Sequence, residues 1–571
     1  MKLLIKIKNN KYNIALLLLT TLFISCSDFL DVNTDKDNPT VAPLALLLTN
    51  TQVGVGRVTD YNDYSGNILG VYTHQMTSRE EYDQYGTKVD NVLMQNDWNM
   101  VYLTLTDIET LIKQSTESGD LVYLGIAQLE KAYLMALAVD LWGSIPYSEA
   151  TKLTTGIVSP KFDEQKAIYA DIFKLIESGK ANIKSNAGAK KPVNDDLFYK
   201  GNTAKWIRFA NSFKLKLYNQ VRLTPDFDTA GFNALVAENN FFTSIADDFQ
   251  FNRTKNISPE ERNNYFLDSY NSTQFGTYQS PWFYEILKGM NPRIHTGIPD
   301  PRIKYFFFNQ LRPGVLPPDQ GNATTGQPNA DYWDKSTGFF SIRFGSTGPD
   351  RDKSAENSYT YPGIFQTGGR YDDGQGGVMT GSSGTGVAPF RMFTYDEFLY
   401  VQAELIQVGK LTTAGTVEAK LEQAMKASFA KVDEVVALNK VSGNTQTIPV
   451  LTGSVAVTTF INNVKTEFTL AATPAKKLEI IMTQKWVGTC GDPMDQYTDY
   501  RRTGFPVLAN PLETSPEYQL NNGDAWPLID SQTVQNNPYQ VSFFWPQSEL
   551  NSNQNAPTQK DATTYKIFWD L

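Results

Sequence analysis

Three groups of aromatic and polar side chains lie outside the helices that the sequence predicts. A sugar ring offers an apolar face and a rim of hydroxyls; flat aromatic rings cover such a face, while amides, acids and guanidinium groups bind the rim. The three groups have this mixture of side chains, so we expect ligand contact from them. The alternative for each ring is that it packs the surrounding loops. The groups are Arg79, Tyr82 and Tyr85; Tyr278, Trp282 and Tyr284; and Tyr332, Trp333, Tyr359, Tyr361, Arg370 and Tyr371.

Groups that could do catalysis are scarce. The chain has two histidines, His74 and His295, and neither has a partner at metal-ligand spacing. The glycine cluster 374–386 lacks the Lys-Ser/Thr of a phosphate loop, and no G-x-S-x-G or C-x-x-C occurs. Paired carboxylates could hydrolyse glycosides, but acids are too abundant for pairs such as Glu80 and Glu81 to be informative. We therefore predict binding without catalysis, metal or cofactor, and keep a hydrolase as an alternative.

The N-terminus has the three parts of an export signal. Four lysines among the first eleven residues precede an apolar run, Ile14–Ile24, which is shorter than the roughly 20 residues that span a bilayer. Ser25 and Cys26 then follow, and a cysteine after a small residue indicates lipidation of that cysteine. Phe23 stands at the third position before the cysteine, where a lipoprotein signal usually has leucine. An ordinary signal peptide is therefore the alternative. We expect residues 1–25 to be removed and Cys26 to carry the lipid anchor.

The segment 26–43 is predicted to be a lipidated, flexible tether. Asp31, Asn33, Asp35 and Asp37 alternate as in a calcium loop, but the loop glycine and the late glutamate of an EF-hand are missing. A solvated tether is therefore the better interpretation. We expect residues 44–571 to form a single body that meets the membrane only through the lipid.

Composition excludes some functions. The formal net charge is −10, and it becomes −14 without the four lysines of the leader, which argues against nucleic acid as a partner. The one other cysteine, Cys490, cannot form an intrachain disulfide if Cys26 carries lipid. The hydrophobic share of 41% is that of a globular protein with its own core.

Hydrophobic periodicity predicts a mainly α fold, helical at about 92–240 and 394–488. Helix pairs of this length are typical of a tetratricopeptide-like α-α superhelix, although no 34-residue repeat is visible. Between them, about 241–390 is rich in glycine and poor in helical period, which predicts a loop-rich half of functional loops with a small hairpin at 338–344. Asp163 is a candidate helix cap, and Thr394 with Glu397 forms a capping box. The predicted helices are Val92–Gln114, Leu121–Trp142, Lys166–Ile183, Thr203–Val221, 394–409, Val417–Val435, Thr459–Phe468 and Pro474–Trp486.

Six segments in order along the chain carry a family resemblance. They are Asp28-Phe-Leu-Asp-Val-Asn-Thr-Asp; Gln128-Leu-Glu-Lys-Ala-Tyr with Asp140-Leu-Trp-Gly-Ser-Ile-Pro-Tyr; Trp206-Ile-Arg-Phe-Ala-Asn-Ser-Phe; Thr394-Tyr-Asp-Glu-Phe-Leu-Tyr-Val-Gln-Ala-Glu-Leu; Tyr497-Thr-Asp-Tyr-Arg-Arg-Thr-Gly-Phe-Pro; and Phe544-Trp-Pro-Gln-Ser-Glu-Leu. Together they resemble the SusD/RagB outer-membrane lipoproteins of Bacteroidetes, in particular the SusD-like nutrient-binding branch.

The resemblance implies a function and a partner. Members of this family bind nutrients, often glycans, and sit as a lid on a SusC-like TonB-dependent β-barrel transporter in the outer membrane. The resemblance implies that the tetratricopeptide-like face contacts the transporter and that the loop-rich half, about 241–390, is the ligand-binding part. We therefore expect a lipid-anchored protein that faces the cell surface and cleaves no bond. A surface-anchored carbohydrate-active hydrolase and a peptide- or protein-binding scaffold are the alternatives.

Overall fold

The computed structural model describes residues 42–81, 83–272, 276–318, 331–347, 351–508 and 534–570. The predicted signal peptide, Cys26, the alternating acids of residues 31–37 and Tyr82 lie outside the described residues.

The described part of the N-terminal half contains seven helices. They are α1 (Leu44–Val55), α2 (Tyr64–Tyr72), α3 (Val92–Ser118), α4 (Leu121–Trp142), α5 (Gln165–Ser185), α6 (Thr203–Gln220) and α7 (Thr229–Glu238). Helix α4 is apolar on all sides because it is packed on all sides: α3 and α5 form its main contacts, with α1 and α6 beside them. Nineteen of its 22 residues are buried. The predicted helices of this half are confirmed.

Helix α4 is also the one described helix that is long and apolar enough to cross a bilayer. However, 89% of its most apolar window is buried inside the protein. A helix hidden in this way is typical of the core of a globular domain.

The prediction that Asp163 caps α5 is wrong. The helix begins after Glu164, and no side chain caps it. Asp163 instead accepts hydrogen bonds from the backbone N–H groups of Tyr147 (3.1 Å) and Ser148 (2.7 Å). Its carboxylate therefore holds the short pairing between β2 (Ile145–Pro146) and β3 (Phe162–Asp163).

The middle of the chain consists of short elements joined by long loops. Among its described residues there are four short helices: α8 (Asn264–Tyr270), α9 (Pro281–Lys288), α10 (Ile303–Phe306) and α11 (Ile364–Thr367). The remaining described strands are β1 (Met76–Ser78), β4 (Phe249–Phe251), β5 (Thr277–Gln279), β6 (Phe307–Phe308), β7 (Asp331–Asp334), β8 (Phe339–Ile342), β9 (Tyr361–Pro362) and β10 (Phe390–Phe393).

All described strands form two-stranded antiparallel pairs: β1 with β5, β2 with β3, β4 with β10, β6 with β9 and β7 with β8. The predicted hairpin at 338–344 is present. It begins earlier than predicted, since β8 pairs with β7 through Trp333 opposite Phe340.

Helices return in the last third. They are α12 (Tyr395–Gln407), α13 (Val417–Val441), α14 (Val455–Leu470), α15 (Pro474–Gly488), α16 (Pro493–Thr503) and α17 (Gln547–Ser552). The capping box of Thr394 and Glu397 opens α12 as predicted. Thr473 caps α15 and Pro474 occupies its first turn, also as predicted. The mainly α prediction, with helix pairs beside a loop-rich part, is confirmed.

A buried ion cluster joins the two helical parts. Glu404 of α12 is fully buried and accepts hydrogen bonds from Arg502 of α16 (2.8 Å) and Asn219 of α6 (2.7 Å). Arg222, just after α6, adds an ion pair at 3.0 Å. Burial alone would raise the pKa of Glu404, but the two guanidinium groups hold it well below its usual range. Three helices therefore meet at one buried carboxylate.

Candidate functional site

Eight of the predicted ligand-binding rings pack into two buried clusters of the loop-rich part, and each ring is between 0 and 8% exposed. One aromatic cluster contains Tyr278, Trp333, Tyr359 and Tyr361. A second cluster contains Trp282, Tyr284, Tyr332 and Tyr371. Ring contacts fill both clusters; the Tyr284 ring, for example, stacks on Phe339 with centroids 3.8 Å apart. These rings pack the loop-rich part, so ligand contact from them stays a prediction that their burial disfavours.

Polar atoms from the three predicted groups nevertheless meet at one place. Arg79 pairs with Asp352 at 2.6 Å, and the Tyr278 hydroxyl donates to the other oxygen of that carboxylate at 2.9 Å. The Tyr359 hydroxyl donates to Asp331 at 3.0 Å, and Asp331 accepts from the backbone of Asp352. Burial raises the pKa of Asp331 to about 7. This network joins β1 and β5 to the β7–β8 hairpin.

The two remaining described candidates are also engaged by the protein. Tyr85 is buried and its hydroxyl lies 2.8 Å from Nε2 of His74, whose ring packs against Phe344 with centroids 3.9 Å apart. Arg370 is half-buried, with its guanidinium group 5.5 Å from the ring centre of Phe308.

Both histidines have structural surroundings. Burial lowers the pKa of His74 to about 3, so its imidazole is neutral at physiological pH. Nδ1 of His295 lies 2.6 Å from Glu467, and its Nε2 lies 2.9 Å from Gln484. The ring nitrogens of His295 are therefore occupied by partners on α14 and α15.

An open cleft of about 450 Å³ lies beside the first predicted group. It is formed by the second half of α2, the end of β1, the loop 79–91 and the start of α3. Its apolar lining comes from Ile68, Val71, Tyr72 and Leu93. Its polar lining comes from Asn67, Ser78, Glu81, Asp83, Gln84, Thr87, Lys88, Asp90 and Asn91. Amide, hydroxyl, carboxylate and ammonium groups thus surround an apolar floor, which suits a ligand with hydroxyl groups on an apolar frame.

In the loop 79–91, the predicted ligand-binding residues are not the ones that line the cleft, although the two sets are neighbours in sequence. Glu81 and Asp83 line the cleft on either side of Tyr82, which lies outside the described residues. The contributions of α2 and α3 were not predicted: no helix was predicted over Tyr64–Tyr72, and the stripe of α3 indicates core packing. The only signal for them in the sequence is the density of amides and acids between Asn67 and Asn91.

Asp83 anchors the loop 79–91 to a distant part of the chain. Its Oδ1 accepts from the Gln535 side chain at 2.6 Å. Its Oδ2 accepts from the backbone N–H groups of Asn536 (2.9 Å) and Asn537 (3.0 Å) and from the Asn537 side chain (2.8 Å). A carboxylate that accepts four hydrogen bonds is a strong fixing point, since each bond is charge-assisted. We call this arrangement the Asp83 clamp.

Further hydrogen bonds hold the same loop from below. The Tyr72 hydroxyl contacts Thr87 Oγ1 at 2.7 Å and Gln540 Oε1 at 2.9 Å, and the Gln540 side chain donates to the Thr87 carbonyl at 2.8 Å. Asn91 caps α3, because its Oδ1 accepts from the backbone of Leu93 and Met94. The cleft is therefore largely pre-formed.

One cluster of carboxylates could in principle hold a metal ion. Glu397, Asp492 and Asp495 are buried, with ligand atoms within 4.8 Å of one another. Two lysines lie among them: Lys216 pairs with Glu397 at 3.2 Å and also with Asp495, and Lys485 lies 3.7 Å from Glu397. The two ammonium groups already pair with Glu397 and Asp495, so the donor set does not fit a cation.

The comparisons agree on one family. Residues 36–527 match the SusD-like family described as starch-binding and associating with the outer membrane. No curated protein matches the chain. Among solved structures, a SusD/RagB family protein from Bacteroides thetaiotaomicron is 19% identical, covers 93% of this chain and 99% of its own, and has a TM-score of 0.65.

Two similar structures carry names that state a ligand. A chitin-binding protein is 20% identical over 93% of this chain and 100% of its own, with a TM-score of 0.65. A chitin-binding SusD homolog from Flavobacterium johnsoniae is 18% identical over 92% and 98%, with a TM-score of 0.61. At these identities the likeness establishes the fold, and the family match covers most of the sequence. The chain therefore belongs to the SusD-like family.

Proposed function

We propose that this protein binds a nutrient glycan at the cell surface and delivers it to a SusC-like TonB-dependent transporter. The observation that carries the proposal is the cleft beside the loop 79–91. It combines an apolar floor with side chains that can donate to and accept from hydroxyl groups. The family description and the chitin-binding relatives support the same class of ligand.

The cleft is the proposed primary site, and Tyr82 is its proposed stacking ring. Tyr82 is one of the predicted ligand-binding residues, and its two neighbours in sequence line the cleft. Glu81 and Lys88 are exposed at the rim, so each can bind a hydroxyl group of the ligand without disturbing the packed core. The other predicted rings act, in this proposal, as the packed support of the loops.

Binding is proposed to be an equilibrium with no bond broken. The cleft holds three carboxylates, Glu81, Asp83 and Asp90, so hydrolysis has to be tested directly. The Asp83 clamp uses one of these carboxylates for structure. Incubation of purified protein with its glycan should release no shorter product; sustained release that Glu81→Gln abolishes would establish the hydrolase instead.

Anchor and partner complete the proposal. Lipid on Cys26 and the tether 26–43 would hold the body at the outer membrane, on its outer face. Mass spectrometry of the mature N-terminus should find an acylated Cys26 and no residues 1–25. Purification from native membranes in mild detergent should recover a large β-barrel with the protein; recovery of the protein alone would count against the transporter partnership.

The ligand site is tested by substitutions at the rim. Full-length protein in detergent is applied to an array of neutral glycans that includes starch and chitin fragments. Loss of one hydrogen bond to a charged group costs about 1.5–3 kcal/mol, so Glu81→Ala and Lys88→Ala should each weaken binding by about tenfold or more. Tyr82→Ala should weaken it as well.

The matched control is Lys113→Ala, which removes an exposed charge from α3 outside the cleft. It should bind as the wild type does. If the three cleft variants also bind as the wild type does, the ligand binds elsewhere and the assignment of the cleft is refuted.

A further inference from the structure

A second open groove lies on the helical half, away from the cleft. It has a volume of about 550 Å³ and runs between α5, α6 and the turn that leads into α7. Helix α5 contributes one face at regular helical spacing, from Ala170 through Phe173 and Lys174 to Glu177 and Ser178. Its size is within the range of small-ligand sites.

The floor of this groove is aromatic and apolar. The rings of Phe173 and Tyr218 are in contact, with centroids 4.9 Å apart, and Val221 lies beside them. The Tyr218 ring is fixed from behind by Phe232 at 5.7 Å. Phe173 is only partly buried, so part of its ring remains available to a ligand. A rigid, partly exposed aromatic surface suits the apolar face of a sugar ring.

The rim is polar, and its charges are balanced. Lys214 pairs with Glu177 at 2.7 Å, and Lys166 pairs with Asp226 at 2.7 Å. Asp228, which caps α7, adds a carboxylate on the far side.

Lys174 is exposed and offsets the charge of that carboxylate. With little net charge left over, the groove favours a neutral ligand with many hydroxyl groups over an ionic one.

We propose that this groove is a second carbohydrate-binding site, which takes one or two neutral sugar units of the glycan. The inference rests on the proposed function, because it assigns a second site to the same class of ligand. A second contact on the same chain would slow release of a long glycan, since rebinding at one site is intramolecular while the other holds.

The test blocks the groove without touching the core. Ala170 is exposed and lines the groove, so Ala170→Trp fills the space with an indole while leaving the packed residues in place. The matched control is Ala419→Trp, which adds the same side chain at an exposed alanine of α13 outside the groove.

Both changes are made in the wild type and in the cleft variant Glu81→Ala/Lys88→Ala. Binding of the full-length proteins to the neutral-glycan array, and the affinity for its best hexasaccharide, are the measurements.

We expect the cleft variant to keep weak binding and Ala170→Trp to lower that residual affinity by about tenfold or more, with Ala419→Trp without effect. If the cleft variant alone abolishes all binding and Ala170→Trp changes nothing, the second site is wrong and the proposed function stands. If the wild type binds no glycan of the array, both proposals are wrong. If Ala170→Trp leaves glycan binding intact but prevents recovery of the β-barrel, the groove is a protein contact and the second site is wrong.

Discussion

Removal of the Asp83 clamp should loosen the cleft without unfolding the protein. Asp83→Ala deletes four hydrogen bonds between the loop 79–91 and residues 535–537. Bonds to a charged group contribute about 1.5–3 kcal/mol each, but Asp83 is only half-buried and two of the four donors belong to one residue. We therefore expect a local loss of about 2–3 kcal/mol, well below the simple sum.

Hydrogen exchange measures this loss directly. A local destabilisation of 2–3 kcal/mol corresponds to a drop of about 30- to 150-fold in amide protection across 83–91 and 534–540. Glycan affinity should fall by up to the same factor, because binding must then order the loop again. The midpoint of global urea unfolding should barely change, since the clamp lies at the surface.

Asp90→Asn is the control for charge alone. Asp90 lines the same cleft and makes no hydrogen bond to the described part of the chain. Its substitution can alter glycan affinity but should leave exchange at 83–91 unchanged. Wild-type protection in Asp83→Ala would refute the reasoning, because the loop would then be held by other contacts.

Three further predictions concern stability. Glu404→Ala leaves Arg222 buried without its ion-pair partner and leaves Arg502 with Asp499 alone, so the free energy of unfolding in urea should fall by about 3–5 kcal/mol; an unchanged midpoint would show that the cluster does not hold the helices together. Burial raises the pKa of Glu130 from 4.5 to about 8, so ionisation favours the unfolded chain as pH rises from 4.5 to 8; the wild type should lose stability across that window, and Glu130→Gln should lose less when melting is compared at pH 5 and pH 8. Asn91→Ala removes the cap of α3 and should cost about 1 kcal/mol of stability by urea unfolding, whereas Asn91→Asp keeps the acceptor oxygen and should cost less.

The eight described helices of 13 or more residues could be predicted because their signals are local, whereas the shorter helices were not predicted. The stripes of α3, α5 and α6, the capping box at Thr394 and the Thr473-Pro474 start are all visible within a few residues. The predicted cap at Asp163 was wrong because the partner of its carboxylate is not local. The carboxylate accepts a hydrogen bond from the backbone of Ser148, 15 residues earlier, beside the β2–β3 pairing. The type of a secondary-structure element follows from its hydrophobic period, whereas the hydrogen-bond partner of a polar side chain depends on its tertiary neighbours.

The cleft proposed as the ligand site could be predicted from the sequence only in part. Composition identifies rings that could cover a sugar, but buried packing uses the same rings, and Tyr284 and Tyr359 are in that role. The cleft itself combines residues of α2, β1 and α3 with a clamp that joins positions 452 to 454 residues apart. No local pattern reports such a contact.

The buried carboxylate of Glu404 has a consequence for how diversity can arise in this protein. Glu404 and Arg502 both belong to segments that carry the family resemblance, and both are fastened inside the frame, remote in sequence from the loop 79–91. Under the proposed function, substitutions in that loop can therefore change which nutrient is bound while the buried ion cluster stays intact. Under that proposal, family membership is recognised from the buried motifs and ligand specificity is set by the loop, so two proteins with matching motifs need not bind the same glycan.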